Sequence, residues 1–423
     1  MSWSKVSERR WERPIDGIEG YFVLTGSMSA AACGGRQHYT IFARALVELN
    51  IPGADQPQIA TTVEGTTKVY EVPDEAALQP WLAETFVISE ATDAAALWDT
   101  VPPITQTTLY YLPKTSELIL RGHHHVLDGT GILMLFDRFM NALANPAATG
   151  NITFGDEVLG VPEQPTPEQT ERVTSLLMGY AQKLPGIGPV SKVNRAPAGN
   201  CRNTRRLTFP PQTTEAITQV CKEKNITVTS AVHAAYIQTL MKFADPSMPS
   251  SHYVTAASFD LRRHLPKPYD SAHYAASVWY SPLPFHLDLP ASFWDIARAL
   301  NEFYRTSFRD DPALRLTTPY YNRFMETLAG SPEYQSTPIP LDALPSSLGI
   351  IERYVQREYS STATVRDLMV GVDVVLGMSM FFIPTFREKL QIVYSFNDGY
   401  EDPADIDRYL ESIRTVLEEL LGR

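Results

Sequence analysis

Three adjacent histidines, His123, His124 and His125, stand just ahead of Asp128 and Gly129 in the segment Arg121-Gly122-His123-His124-His125-Val126-Leu127-Asp128-Gly129. A neutral imidazole can take a proton from a hydroxyl and give it back within one reaction. Each imidazole set among apolar groups also needs a polar partner, so three in a row are costly as packing alone. Two other readings stand beside catalysis, namely histidines satisfied inside a core and ligands of a metal ion. Strand alternation would send His123 and His125 to one face and His124 to the other, which suits a metal poorly. No H-E-x-x-H pair or cysteine cluster supplies further ligands, so no metal is expected.

The flanking residues predict how the segment is held. Thr107 to Leu112 and Glu117 to Leu120 are rich in β-branched and apolar residues on either side of the turn-like Pro113 to Ser116, which predicts a hairpin leading into the histidines. After Gly129, Ile132 to Met140 repeats its apolar residues at helical spacing, placing the histidines at a strand-to-helix junction. Upstream, Phe42, Ala45, Leu46 and Leu49 have helical spacing within Thr40 to Leu49, and Thr61 to Val72 reads as strand. Pro, Gly, Thr and Asn crowd residues 145–170, and a further turn-rich stretch covers 184–203. Beyond it come a strand at Arg206 to Phe209, helices over Thr213 to Lys224 and Ser230 to Phe243, and a strand over Tyr253 to Phe259. At the carboxyl end a strand over Leu390 to Phe396 precedes the turn Asn397-Asp398-Gly399 and a helix starting at Asp402-Pro403.

The chain has 423 residues, 44% of them hydrophobic, enough to bury a core in two or three domains. Its net charge of −12 opposes nucleic-acid binding, which needs a surplus of Lys and Arg to neutralise phosphates. Cys33, Cys201 and Cys221 fit neither a disulfide framework nor a zinc spacing and suit a reducing compartment. No run approaches the roughly 20 apolar residues that span a bilayer, and the amino terminus has no secretory pattern, so a cytoplasmic chain without membrane partners is expected. Lys183, Lys192, Arg195, Arg202, Arg205 and Arg206 form a local basic stretch, either a solvated linker or a site for phosphates.

His123-His124-His125-Val126-Leu127-Asp128-Gly129 resembles the HHxxxDG signature of the chloramphenicol acetyltransferase-like superfamily, which includes peptide-synthetase condensation domains, BAHD acyltransferases and alcohol acetyltransferases. Pro57 to Thr61 and Asp260-Leu261-Arg262 resemble further elements in matching order, and Trp11 to Phe22 looks like fungal O-acetyltransferases of the trichothecene 15-O-acetyltransferase kind. The resemblance implies an α/β fold of two similar halves, a pseudo-dimer with an active-site tunnel at their interface. The expected division is residues 1–180, a crossover linker over 181–204, and residues 205–423.

By the same resemblance His124 is the general base, neutral near pH 7, with His123 and His125 in supporting or structural roles. Asp128 points away from substrate to pair with Arg262, whose alternative is a solvated surface charge. Gly129 supplies a tight turn or the approach of a backbone N–H to an oxyanion. Ser379 in Gly377-Met378-Ser379-Met380 is a second candidate oxyanion donor, or a serine of a core strand. The implied reaction moves an acyl group, acetyl first, from acetyl-CoA or another acyl-CoA to a hydroxyl of a small secondary metabolite such as a terpenoid or polyketide. No cofactor is expected to be held, an acyl carrier protein is an alternative donor, and a monomer suffices.

The sequence departs from the plant BAHD pattern, because Val374 to Met380 stands where those enzymes carry DFGWG. That departure motivates a rival in which the fold promotes cyclisation without an acyl donor. A non-catalytic binding protein is the second rival.

Overall fold

The computed structural model describes residues 3–15, 18–49, 62–71, 75–145, 166–189, 203–265, 267, 270–310, 342–361 and 363–422. Pro57 to Thr61, most of the expected linker, and the basic residues Lys192, Arg195 and Arg202 lie outside them. Among the described residues no helix is long and apolar enough to cross a membrane.

The chain forms two compact units, each drawn from three stretches of sequence. Unit 1 gathers Met1–Gln164, Arg262–Trp279 and Ile351–Val372; unit 2 gathers Pro165–Leu261, Tyr280–Ile350 and Asp373–Arg423. A single cut near residues 181–204 therefore does not separate them.

Among the described residues unit 1 holds two sheets. Strands β1 (Ser4–Lys5), β2 (Arg10–Pro14), β4 (Thr62–Glu64) and β5 (Thr67–Glu71) form one, in the order β1-β2-β5-β4. The other has six strands: β3 (Thr40–Leu49), β6 (Phe86–Ile88), β7 (Thr108–Leu112), β8 (Glu117–His123), β13 (Glu358–Tyr359) and β14 (Ala363–Asp373), in the order β13-β14-β3-β8-β7-β6. Among the described residues the unit also has helices α1 (Glu19–Ala32), α2 (Glu75–Thr85), α3 (Ala94–Thr100) and α4 (Gly129–Ala144).

The expected hairpin is β7 and β8, antiparallel with Tyr110 opposite Ile119. The helix expected over Thr40 to Leu49 is instead β3, paired residue by residue with β8 from Thr40↔His123 to Leu46↔Glu117. Its apolar run satisfies helical spacing, but Ile41, Phe42, Ala43, Ala45 and Val47 are all buried. Ile41, Ala43, Ala45 and Val47 alternate on one buried face while Leu46 on the other is exposed, the period of a strand, and here cross-strand pairing overrides the helical pattern.

Among its described residues unit 2 holds one six-stranded sheet: β9 (Asn203–Thr208), β10 (His252–Asp260), β11 (Tyr280–Asp288), β12 (Leu344–Ile350), β15 (Met380–Phe386) and β16 (Lys389–Phe396), ordered β11-β10-β12-β15-β16-β9. Its helices are α5 (Pro167–Ala181), α6 (Pro211–Glu223), α7 (Val228–Phe243), α8 (Phe293–Asp310) and α9 (Pro403–Glu419). Asp402 caps α9 by accepting from the Ala404 N–H, and Ile406, Tyr409, Leu410, Ile413 and Leu417 are buried along its inner face. They join a core with Ala231, Val232, Tyr236, Phe381, Ile392 and Phe396.

Candidate active site

Strand β8 ends at His123, and the chain turns at once: the Val126 and Leu127 N–H groups both donate to the His123 carbonyl, at 2.9 and 3.2 Å. The turn sets the three rings apart. His123 and His125 stack on each other with centroids 5.2 Å apart and planes 12° apart. His124 faces elsewhere, against Phe22 of α1 at 4.0 Å, with Tyr39 meeting its ring edge-on at 6.2 Å. His123 and His125 are buried, whereas His124 keeps partial exposure. The expected sorting of the rings is present, although a turn rather than strand alternation produces it for His124 and His125.

Burial pushes His124 down to about 4, against the pull of its own main-chain carbonyl and of Asp128. Burial and the Arg121 charge hold His123 at about 4, opposed by main-chain groups of Ile104 and Thr105. His125 is pushed well below the ordinary value by burial, His123 and Lys68. Nearby His38 is buried and held at about 3. All four rings are therefore neutral at pH 7.

Asp128 fixes the end of the turn. It is the N-cap of α4, one carboxylate oxygen accepting from the Gly131 N–H at 2.7 Å. The other accepts from Arg262 Nη1 at 2.8 Å and from the Trp279 N–H at 2.6 Å. Arg262 is buried, with a second contact to the Ser277 carbonyl at 3.3 Å, and is no solvated surface charge. A buried ion pair tolerates desolvation best when its remaining hydrogen-bonding positions are filled, and these donors fill both oxygens of the Asp128 carboxylate.

Gly129 is the first residue of α4, where N–H groups have no partner inside the helix. It is not among the described glycines with a left-handed backbone, so the turn does not need its conformational freedom. Gly131 carries the steric constraint instead: a Cβ there would collide with the Ala275 carbonyl and lie 3.1 Å from Arg262 Nη2. Its signal in the sequence is a second glycine in the first turn of a helix that continues with an apolar run, Ile132 to Phe136.

Ser379 belongs to unit 2 and is buried, its hydroxyl donating to the Glu401 carboxylate. Glu401 also accepts from the Tyr394 hydroxyl at 3.0 Å, and burial raises it to about 7. The hydrogen that an oxyanion would need is thus directed at Glu401. Of the basic stretch, Arg205 pairs with Asp407 at 3.2 Å. Among the described residues no three His, Cys, Asp or Glu side chains gather as a metal-binding group.

Phe22, Tyr39 and Lys68 join the site without any local signal in the sequence that marks them. Lys68, buried on β5, donates to the His125 carbonyl at 2.6 Å and to Glu19 at 2.7 Å. Tyr39 has a left-handed backbone with φ of 61°, a strained state for a bulky residue.

No protein-family model matches the chain. Over its whole length it is 26% identical to acetyltransferase pigO of Monascus ruber, covering 98% of that protein, and 23% identical to O-acetyltransferase pigM of the same fungus, covering 88%. Its structure is similar to that of the trichothecene 15-O-acetyltransferase of Fusarium sporotrichioides, with a TM-score of 0.78 at 15% identity over 100% of this chain and 97% of that one. The first condensation domain of the CDA synthetase shares the fold at a TM-score of 0.63 and 15% identity, over 97% and 96% of the two chains. The chain thus shares its fold with the trichothecene 15-O-acetyltransferase and with condensation domains, and it has fungal acetyltransferases among its sequence relatives.

Proposed function

We propose that this chain is an acyl-CoA-dependent O-acyltransferase that moves acetyl from acetyl-CoA to a hydroxyl of a small secondary metabolite such as a terpenoid or polyketide. Two of its relatives, pigO and pigM, are named acetyltransferases, which supports a transferase. The observation that carries the reading is His124: it alone of the three histidines keeps partial exposure, it is neutral at pH 7, and Asp128 and Arg262 hold its turn.

In this reading His124 takes the proton as the acceptor oxygen attacks the thioester carbonyl, giving a tetrahedral oxyanion and an imidazolium. Collapse breaks the carbon–sulfur bond, and the imidazolium protonates the departing thiolate, leaving ester and free CoA. A ring held at about 4 is a weak base in the free protein. The developing oxyanion favours the imidazolium and offsets that weakness. The amino terminus of α4, at Gly129, presents N–H groups suited to negative charge. The proposed protein works as a cytosolic monomer.

Incubation with acetyl-CoA and a panel of hydroxylated terpenoids and polyketides tests the reading by mass spectrometry. Free thiol released in step with ester supports it; product formed without any thioester supports the cyclisation rival instead. Carrier-protein thioesters, added because condensation domains share the fold, identify the donor.

A further inference from the structure

The histidine turn is clamped from behind by charged residues that the proposed chemistry does not use. Lys68 is nearly inaccessible, its side chain 4% exposed, and its ammonium is divided between the His125 carbonyl and Glu19. Glu19, in the first turn of α1, also accepts from Arg13 at 2.7 Å. Burial opposes ionisation of Glu19, yet Lys68 and Arg13 outweigh it and hold the carboxyl at about 2. Burial lowers Lys68 to about 8, with Glu19 pulling the other way. At neutral pH all three carry charge.

Three residues further along α1, Phe22 lies flat on the His124 ring, with the two planes 12° apart. Residues three apart on a helix share a face. One face of α1 therefore meets the turn at two consecutive residues, at His125 through Glu19 and Lys68 and at His124 through Phe22. Buried ion pairs add little stability over apolar packing of the same volume. What an ammonium adds here is a directed hydrogen bond to the carbonyl of His125, the residue that follows His124.

We propose that Lys68 is a positioning residue for His124: braced by Glu19, it fixes the turn against α1 so that the Phe22 stack sets the plane of the imidazole. The rate consequence rests on the acyl-transfer reading; the ring geometry does not.

Histidine-labelled full-length protein tests this by NMR, with the His124 ring signals assigned by their disappearance in His124→Gln. Stacking on Phe22 shifts those ring protons upfield, Phe22→Leu removes the shift, and Lys68→Met reduces it. In both variants kcat falls by about 10²-fold, the scale for a misplaced catalytic group, while KM for acetyl-CoA is unchanged. A folded Lys68→Met protein with wild-type ring shifts and wild-type kcat overturns the proposal. Should Lys68→Met not fold, Phe22→Leu decides, and wild-type kcat there overturns it equally. Should the wild-type protein transfer no acyl group, the functional reading fails, while the ring shifts still decide the positioning claim.

Discussion

Arg262 reaches across 134 positions of sequence to place Nη1 2.8 Å from Asp128, with both side chains almost withdrawn from solvent. Removing either partner strands the other's charge, so Asp128→Ala and Arg262→Ala should each cost about 3–5 kcal/mol of stability. The double substitution should cost clearly less than their sum. Urea unfolding of the three variants measures this, and additive losses would mean that the pair is not energetically coupled.

Gly131→Ala should destabilise the protein by about 1–3 kcal/mol, as overpacking does, because the atom the new methyl collides with is the main-chain carbonyl of Ala275, and the Asp128–Arg262 pair crowds it as well. The loss runs against helix propensity, which alone would favour Ala over Gly inside α4 by about 1 kcal/mol. A thermal midpoint at or above wild type would contradict the close approach.

Acid should weaken the fold before it protonates ordinary carboxylates. His38 and His233 are held at about 3 and His123 and His124 at about 4, with His125 also well depressed. Unfolded chains bind these protons below about 6.5, so the histidine contribution is intact above that pH and is lost as pH falls toward the folded values. Asp342 and Glu401, both raised to about 7, act oppositely: their contribution is present at low pH and is lost as pH rises through about 7. Five histidines outweigh two carboxylates, so stability should rise with pH from about 5 to about 6.5. Urea midpoints across that range check the slope, and a flat or falling profile would sink the account.

The same depression of His124 makes a kinetic prediction. If the neutral ring is the base, the acid limb of kcat/KM in the free enzyme falls near pH 4 rather than near 6.5. An inflection near 6.5 in the pH–rate profile would place the base in a wetter environment than this ring occupies.

Local features of the site were legible in sequence. The β7–β8 hairpin and α4 follow from apolar periodicity on either side of short turns. Features that depend on distant partners were not. Thr40 to Leu49 fits helical spacing until β8, some seventy positions on, claims it as a strand. Helix α1 offers no apolar stripe, because Gly, Ser and Thr interrupt its sequence. Lys68 looks like any strand lysine until it meets His125. Asp128 and Arg262 could be paired beforehand only through a family resemblance, since no local pattern links them.

Whether His124 is the base of acyl transfer is decided by His124→Ala, assayed with acetyl-CoA and an acceptor that the wild-type protein esterifies. The account predicts that turnover falls by roughly 10²–10⁴-fold while circular dichroism and the unfolding midpoint stay native. Wild-type turnover in a folded His124→Ala protein would contradict it.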